Sequence, residues 1–167
     1  MPATEFHPVP PDRNLYRLAG QLLPNVPADI PRVVNPEPVS YSQGRQDTFY
    51  LVNLVDLEVY ASTFELRLVS PHAYWYVEEG LNVRQRDLER SGTIFEEDIY
   101  PRVTAIFGQE WSPGVDNDPH LNIINARLRG VAGYYSSGDE YPERIRAFSN
   151  QREIIYINAN VFPMGSS

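Results

Sequence analysis

The chain has 167 residues, a net charge of −8 and no cysteine. That length is one ordinary domain with a real core, and the missing thiols exclude disulfides, cysteine nucleophiles and cysteine-ligated metals. The charge argues against a nucleic-acid partner, whose phosphates would repel the surface, and no apolar run approaches the ~20 residues that cross a bilayer.

Residues 1–47 read as a Pro-rich extended arm, because prolines from Pro8 to Pro38 interrupt any regular element. Within it Leu15, Leu18 and Leu22 share a face, which predicts a short helix between Asn14 and Leu23. The first twelve residues carry neither the basic nor the apolar region of a signal peptide. The arm is expected to lie over a folded body or to link it to a preceding segment.

Residues 48–167 read as an α+β domain. Thr48 to Val55 is rich in β-branched and aromatic residues, and Asp56-Leu57 forms a turn. Glu58 to Val69 alternates, with Tyr60, Phe64, Leu66 and Leu68 expected on one face. After Ser70-Pro71, His72 to Val77 makes a third strand, so the three predict an antiparallel meander. Asn82 and Gln85 have capping-box spacing. Leu88, Phe95, Ile99, Val103 and Ile106 then predict a helix whose apolar stripe packs on the sheet, kinked or split at Pro101 and ending at Gly108. Leu121 to Leu128 and Glu153 to Asn158 are further strands, separated by the Gly-, Ser- and Tyr-rich segment from Gly130 to Tyr141. The expected architecture is a mixed, twisted sheet backed by one long, kinked helix.

No common catalytic constellation is present. The sequence has no HExxH helix, no G-x-S-x-G elbow and no phosphate-binding glycine pattern. His7, His72 and His120 lack the close spacing of zinc ligands. Two acidic turns, Asp116-Asn117-Asp118-Pro119 and the one holding Asp139, offer oxygen ligands of the kind calcium takes. The competing reading is an Asx turn bonded to its own backbone.

Several blocks nonetheless resemble a known family when taken in order. They are His72-Ala-Tyr-Trp-Tyr-Val-Glu-Glu-Gly80, Ile99-Tyr-Pro101, Phe107-Gly-Gln-Glu-Trp111 and Pro113-Gly-Val-Asp-Asn-Asp-Pro-His120. Gly130-Val-Ala-Gly-Tyr-Tyr-Ser-Ser-Gly-Asp-Glu-Tyr-Pro142 and Ser149-Asn-Gln-Arg-Glu-Ile-Ile-Tyr-Ile-Asn158 follow. The order is similar to the segment before the zinc-binding helix of bacterial secreted zincin metallopeptidases, the hyicolysin-like enzymes and their immune-inhibitor-A-like relatives.

The resemblance implies a twisted mixed sheet, one edge strand of which binds the substrate backbone by strand addition. Gly130, Val131, Ala132, Gly133 and Tyr134 would supply that edge, the alternative being a structural glycine bulge. It also implies an extracellular or periplasmic protein, and zinc in a complete family member. Ala159 to Ser167 carries no HExxH motif, so neither zinc ligands nor a general base transfer to this sequence. The expectation is a non-catalytic amino-terminal portion of a zinc endopeptidase, inactive alone. Its partners would be peptide substrate or a carboxyl-terminal catalytic segment, and a bare apolar face would favour a homodimer. The alternative is a stand-alone peptide- or glycan-binding module using Tyr74, Trp75, Tyr76, Tyr134 and Tyr135. Against that stands the ordinary role of such rings, filling a core.

Overall fold

A computed structural model describes residues 14–23 and 30–161. The chain divides into two compact units, Met1–Ile30 and Pro31–Ser167. The first contains helix α1 (Leu15–Leu22), whose N-cap Asn14 accepts a hydrogen bond from the Arg17 N–H at 3.0 Å. The readings of residues 1–13, 24–29 and 162–167 lie outside the described residues.

The second unit is built on six strands: β1 (Gln46–Asn53), β2 (Glu58–Val69), β3 (Ala73–Glu78), β4 (Leu121–Ala126), β5 (Gly133–Tyr135) and β6 (Ile154–Asn158). They form one mixed sheet in the order β1-β2-β3-β4-β6-β5. The meander β1-β2-β3 is antiparallel, β3-β4 and β4-β6 are parallel, and β5 returns antiparallel on β6.

The sheet curls around its concave face. Phe49, Leu51, Phe64, Leu66, Tyr74, Tyr76, Ile124, Ile154 and Tyr156 all lie in that interior cluster. Phe49 meets Phe64 and Tyr76 edge to face, at centroid distances of 5.6 and 5.0 Å, an arrangement worth about 0.5–1.5 kcal/mol per pair beyond area burial. The curl brings the β1 edge towards β5, and side chains span the seam between them.

The convex face carries a second cluster, Ala73, Trp75, Val77 and Ile123, packed against Leu88 and Phe95 of the helix. β3 therefore buries residues of both parities and has no exposed face. Leu68 does not share a face with Leu66. A bulge between them re-phases β2, so that Leu66 pairs with Tyr76 inside while Leu68 pairs with Trp75 outside. Leu68 then meets the helix at Gly92, where a Cβ would lie 2.7 Å from Leu68 Cδ2.

The helix is continuous. α2 (Gln85–Ile94) runs through a π-helical turn (Phe95–Ile99) into α3 (Tyr100–Phe107). Pro101 has no N–H and would crowd an ordinary preceding turn, and the widened turn absorbs it without a break. Arg84, not Asn82, occupies the N-cap position, and its side chain makes no capping bond. The apolar stripe is only half used. Leu88 and Phe95 are buried, whereas Ile99, Val103, Ile106 and Phe107 are exposed.

Residues 31–45, from the Pro-rich stretch, form a strap on the second unit. Val34 N–H donates to Val115 O at 2.8 Å, Val39 N–H to Asn117 O at 3.3 Å, and the Asn35 side chain to Asp116 O at 2.7 Å. Among the described residues no helix is long and apolar enough to cross a membrane.

Candidate functional site

The strap closes one end of the curled sheet, at the amino-terminal ends of β3, β4 and β6. Its Tyr41 covers the Arg152 guanidinium, 4.3 Å from the ring centroid, and Arg152 also lies 5.2 Å from the Phe49 ring centre. Arg152 Nη1 donates to Asp47 Oδ2 at 3.3 Å and to Tyr76 Oη at 3.2 Å, and Nε sits 3.8 Å from Asp116 Oδ2. Tyr76 Oη donates to Asp47 at 2.7 Å. Burial pushes the Asp116 carboxyl up to about 6, Arg152 opposing the shift and Asp118 adding to it. This is a plug, with each charge held by opposite charge or ring.

Beside the plug, Asp118 accepts from Tyr74 Oη at 2.7 Å and pairs with His120, whose ring stacks on Tyr74. Glu153 approaches from the start of β6. Its Oε1 accepts from Val115 N–H at 3.1 Å, while Oε2 is buried without a partner. Desolvation raises its carboxyl to about 7, with Asp116 and Glu140 adding repulsion. Gly114, at φ +86°, is required here, because a Cβ would lie 2.7 Å from both Glu153 Oε2 and Asp118 O.

The seam is where backbone groups become available. Asn158 N–H donates to Ala132 O, so the alternation of an antiparallel ladder turns Tyr134 towards β6 and Gly133 and Tyr135 outwards. Among the described residues no backbone partner meets the outer groups of Gly133 or Tyr135. The β1 edge is treated differently. The Asn150 carboxamide accepts from Tyr50 N–H and donates to Tyr50 O, both at 2.8 Å, as a neighbouring strand's peptide group would. Tyr134 Oη accepts from Val52 N–H at 3.1 Å. Between the edges lies a cavity of about 60 Å³, lined by Tyr50, Val52 and Val59 on one side and Tyr134 and Ser136 on the other.

Asn150 also bonds Asp139 and the Tyr156 hydroxyl. Asn150→Ala is expected to cost about 1–3 kcal/mol in chemical unfolding, the range for stranding a buried polar partner. The Tyr50 amide should at the same time lose its protection in hydrogen exchange.

Of the residues expected at a substrate edge, Gly133 and Tyr134 lie in β5, while Gly130, Val131 and Ala132 belong to the preceding loop. Gly133 also has a packing reason to be glycine, since a Cβ would lie 2.8 Å from Tyr156 O. The three carboxylates considered for calcium are committed to protein partners: Asp116 faces Arg152, Asp118 holds Tyr74 and His120, and Asp139 holds Asn150 and Tyr156. Among the described residues no group of three His, Cys, Asp or Glu side chains is placed to hold a metal ion. Tyr74, Trp75 and Tyr76 are buried, and Tyr134 stacks on Tyr156 at 4.3 Å, which leaves Tyr135 the exposed ring of the five. Asp47 carried no motif, and Asn150, Arg152 and Glu153 stood only within the Ser149–Asn158 block, with no role assigned. Their roles come from partners up to 105 residues away.

No protein-family model matches this chain, and no curated protein matches it.

Proposed function

We propose that this domain is the substrate-holding portion of a zinc-dependent endopeptidase of the zincin type, with β5 as the strand on which an extended peptide adds. One observation carries the reading: among the described residues the outward N–H and C=O groups of Gly133 and Tyr135 lack backbone partners, while on the β1 edge side chains occupy Tyr50 N–H and O and Val52 N–H. An exposed strand edge offers a bound peptide main-chain hydrogen bonds. An antiparallel edge strand beside parallel central strands, with a long helix on the convex face, supports the same reading.

The share of the work proposed for this domain is binding. Its described residues offer no ligand set, so no chemical step is assigned to them. Their part is to fix the peptide's register and orientation. The outer side of β5 would receive the added strand, and the cavity beside Val52 and Val59 would receive one small side chain.

The test is a titration of the ¹⁵N-labelled domain with extended peptides and with the same peptides N-methylated at alternate residues. Strand addition expects chemical-shift changes at Gly133 and Tyr135, abolished by methylation in one register and retained in the other. Tyr135→Pro removes an outward N–H without touching the β6 ladder, and should weaken binding about tenfold, the cost of one or two hydrogen bonds. Equal binding of both methylated peptides would sink the proposal.

A further inference from the structure

The end of the curl opposite the plug is open. It lies at the carboxyl ends of the parallel strands β3, β4 and β6, the side where open α/β sheets receive ligands, and mouths of curled sheets are a recurrent place for small-molecule sites. A cleft of about 420 Å³ occupies it, lined by Asn53, Asp56, Glu58, Tyr60, Glu78, Arg127 and Arg129. That volume is within the usual range for ligand sites, and the polar lining excludes a lipophilic occupant.

Its walls are fixed. Glu78 accepts from the Ser62 hydroxyl at 2.8 Å and from Arg127 N–H at 2.8 Å, and lies 3.3 Å from Arg127 Nε. Arg127 is held further by Glu79 O and Gly80 O. These two charges cancel each other and belong to the frame. The Asn158 side chain clamps the rim loop through Leu128 O and Val131 O, and Gly130 meets Val55 of the β1-β2 hairpin.

Other groups on the cleft are uncommitted. Among the described residues the Glu58 carboxylate, the Tyr60 hydroxyl and the Arg129 guanidinium make no hydrogen bond or ion pair. Asp56 is bonded by Asn53 and by Glu58 N–H, with no cation beside it. After Glu78 and Arg127 cancel, two negative charges and one positive charge remain. A neutral sugar would leave all three uncompensated. The complementary ligand has two cationic groups and one carboxylate. We propose that this cleft binds a free basic amino acid, arginine or lysine: Arg129 takes the carboxylate, Glu58 and Asp56 take the α-ammonium and the side-chain cation, and Tyr60 bonds a polar group between them.

This inference is independent of strand addition at β5. The test is ¹⁵N chemical-shift titration of the whole chain with L-arginine, agmatine, L-glutamate and glucose. L-Arginine at millimolar concentration should shift Glu58, Tyr60 and Arg129, and agmatine, which lacks the carboxylate, should bind about tenfold more weakly, the loss expected for one charge-assisted bond. Glu58→Gln should weaken arginine and agmatine alike, whereas Arg129→Gln should weaken arginine and leave agmatine unchanged. Both positions are exposed, and unaltered spectra elsewhere will verify folding. Shifts produced equally by glutamate, shifts produced by glucose in place of arginine, no shifts at all, or arginine binding indifferent to both substitutions would each overturn the proposal.

Discussion

Arg152→Ala is expected to lower the unfolding free energy by about 3–5 kcal/mol, the range for removing one partner of a buried ion pair. The side chain is 11% exposed and serves two carboxylates and three rings. Asp47 would keep Arg45 and Tyr76 as partners. Asp116 would lose its cation, and with it the largest influence opposing desolvation. The deficit should therefore be larger at pH 8, where Asp116 is ionised, than at pH 5, below the value of about 6 it holds even beside Arg152. Urea unfolding at the two pH values measures this. A deficit under 1 kcal/mol at both would mean that ring packing alone holds the plug, against the usual cost of an orphaned buried charge.

Glu153→Gln should stabilise the protein at pH 8 and leave it little changed at pH 4. The Glu153 carboxyl rises from 4.5 to about 7 in the fold. Between those values the folded state holds a proton that the unfolded state has released. Stability therefore falls as pH rises from about 4.5 to about 7, and is flat beyond. The size, at 1.36 kcal/mol per pKa unit and allowing for screening, is on the order of 2 kcal/mol. Glutamine retains an oxygen for Val115 N–H and removes the charge from the partnerless position. Asp116 shifts in the same direction, from 3.8 to about 6, so a residual slope should remain in E153Q and shrink when Asp116→Asn is added, leaving the part due to Asp139, which burial also raises. Thermal unfolding between pH 4 and 8 would detect both slopes. A wild-type protein equally stable at pH 5 and 8 would contradict the account.

Much of the sheet was legible because alternation and turn residues are local signals. The expected Glu58 to Val69 strand matches β2, and the meander, the later strands and the helix all appear within a few residues of their expected ends. Alternation failed at Leu68, since a bulge changes phase without changing residue type. The helical period was read correctly, but it reports a face and not a partner. Leu88 and Phe95 reach the sheet, whereas Val103 and Ile106 lie on a part of the helix with no buried residue. The family resemblance placed an edge strand at Gly130–Tyr134, yet the strand begins at Gly133, because small residues equally suit the loop that precedes it. Least legible was the polar interior. Asp47 and Arg152 resemble ordinary surface charges until the curl brings them together across 105 residues.

Strand order also sets an order of assembly. β5 leaves a ribosome before β6, but β6 is its one neighbour in the sheet. β1 to β3 can zip locally as they emerge, whereas β5 must wait until residues 154–158 have emerged. Until then the growing sheet ends at β4, five of whose six residues are buried in the finished fold. The nascent domain thus passes through a stage with a central strand as its edge, sticky and unguarded. The edge strand proposed to meet a peptide has no partner until the last strand has emerged.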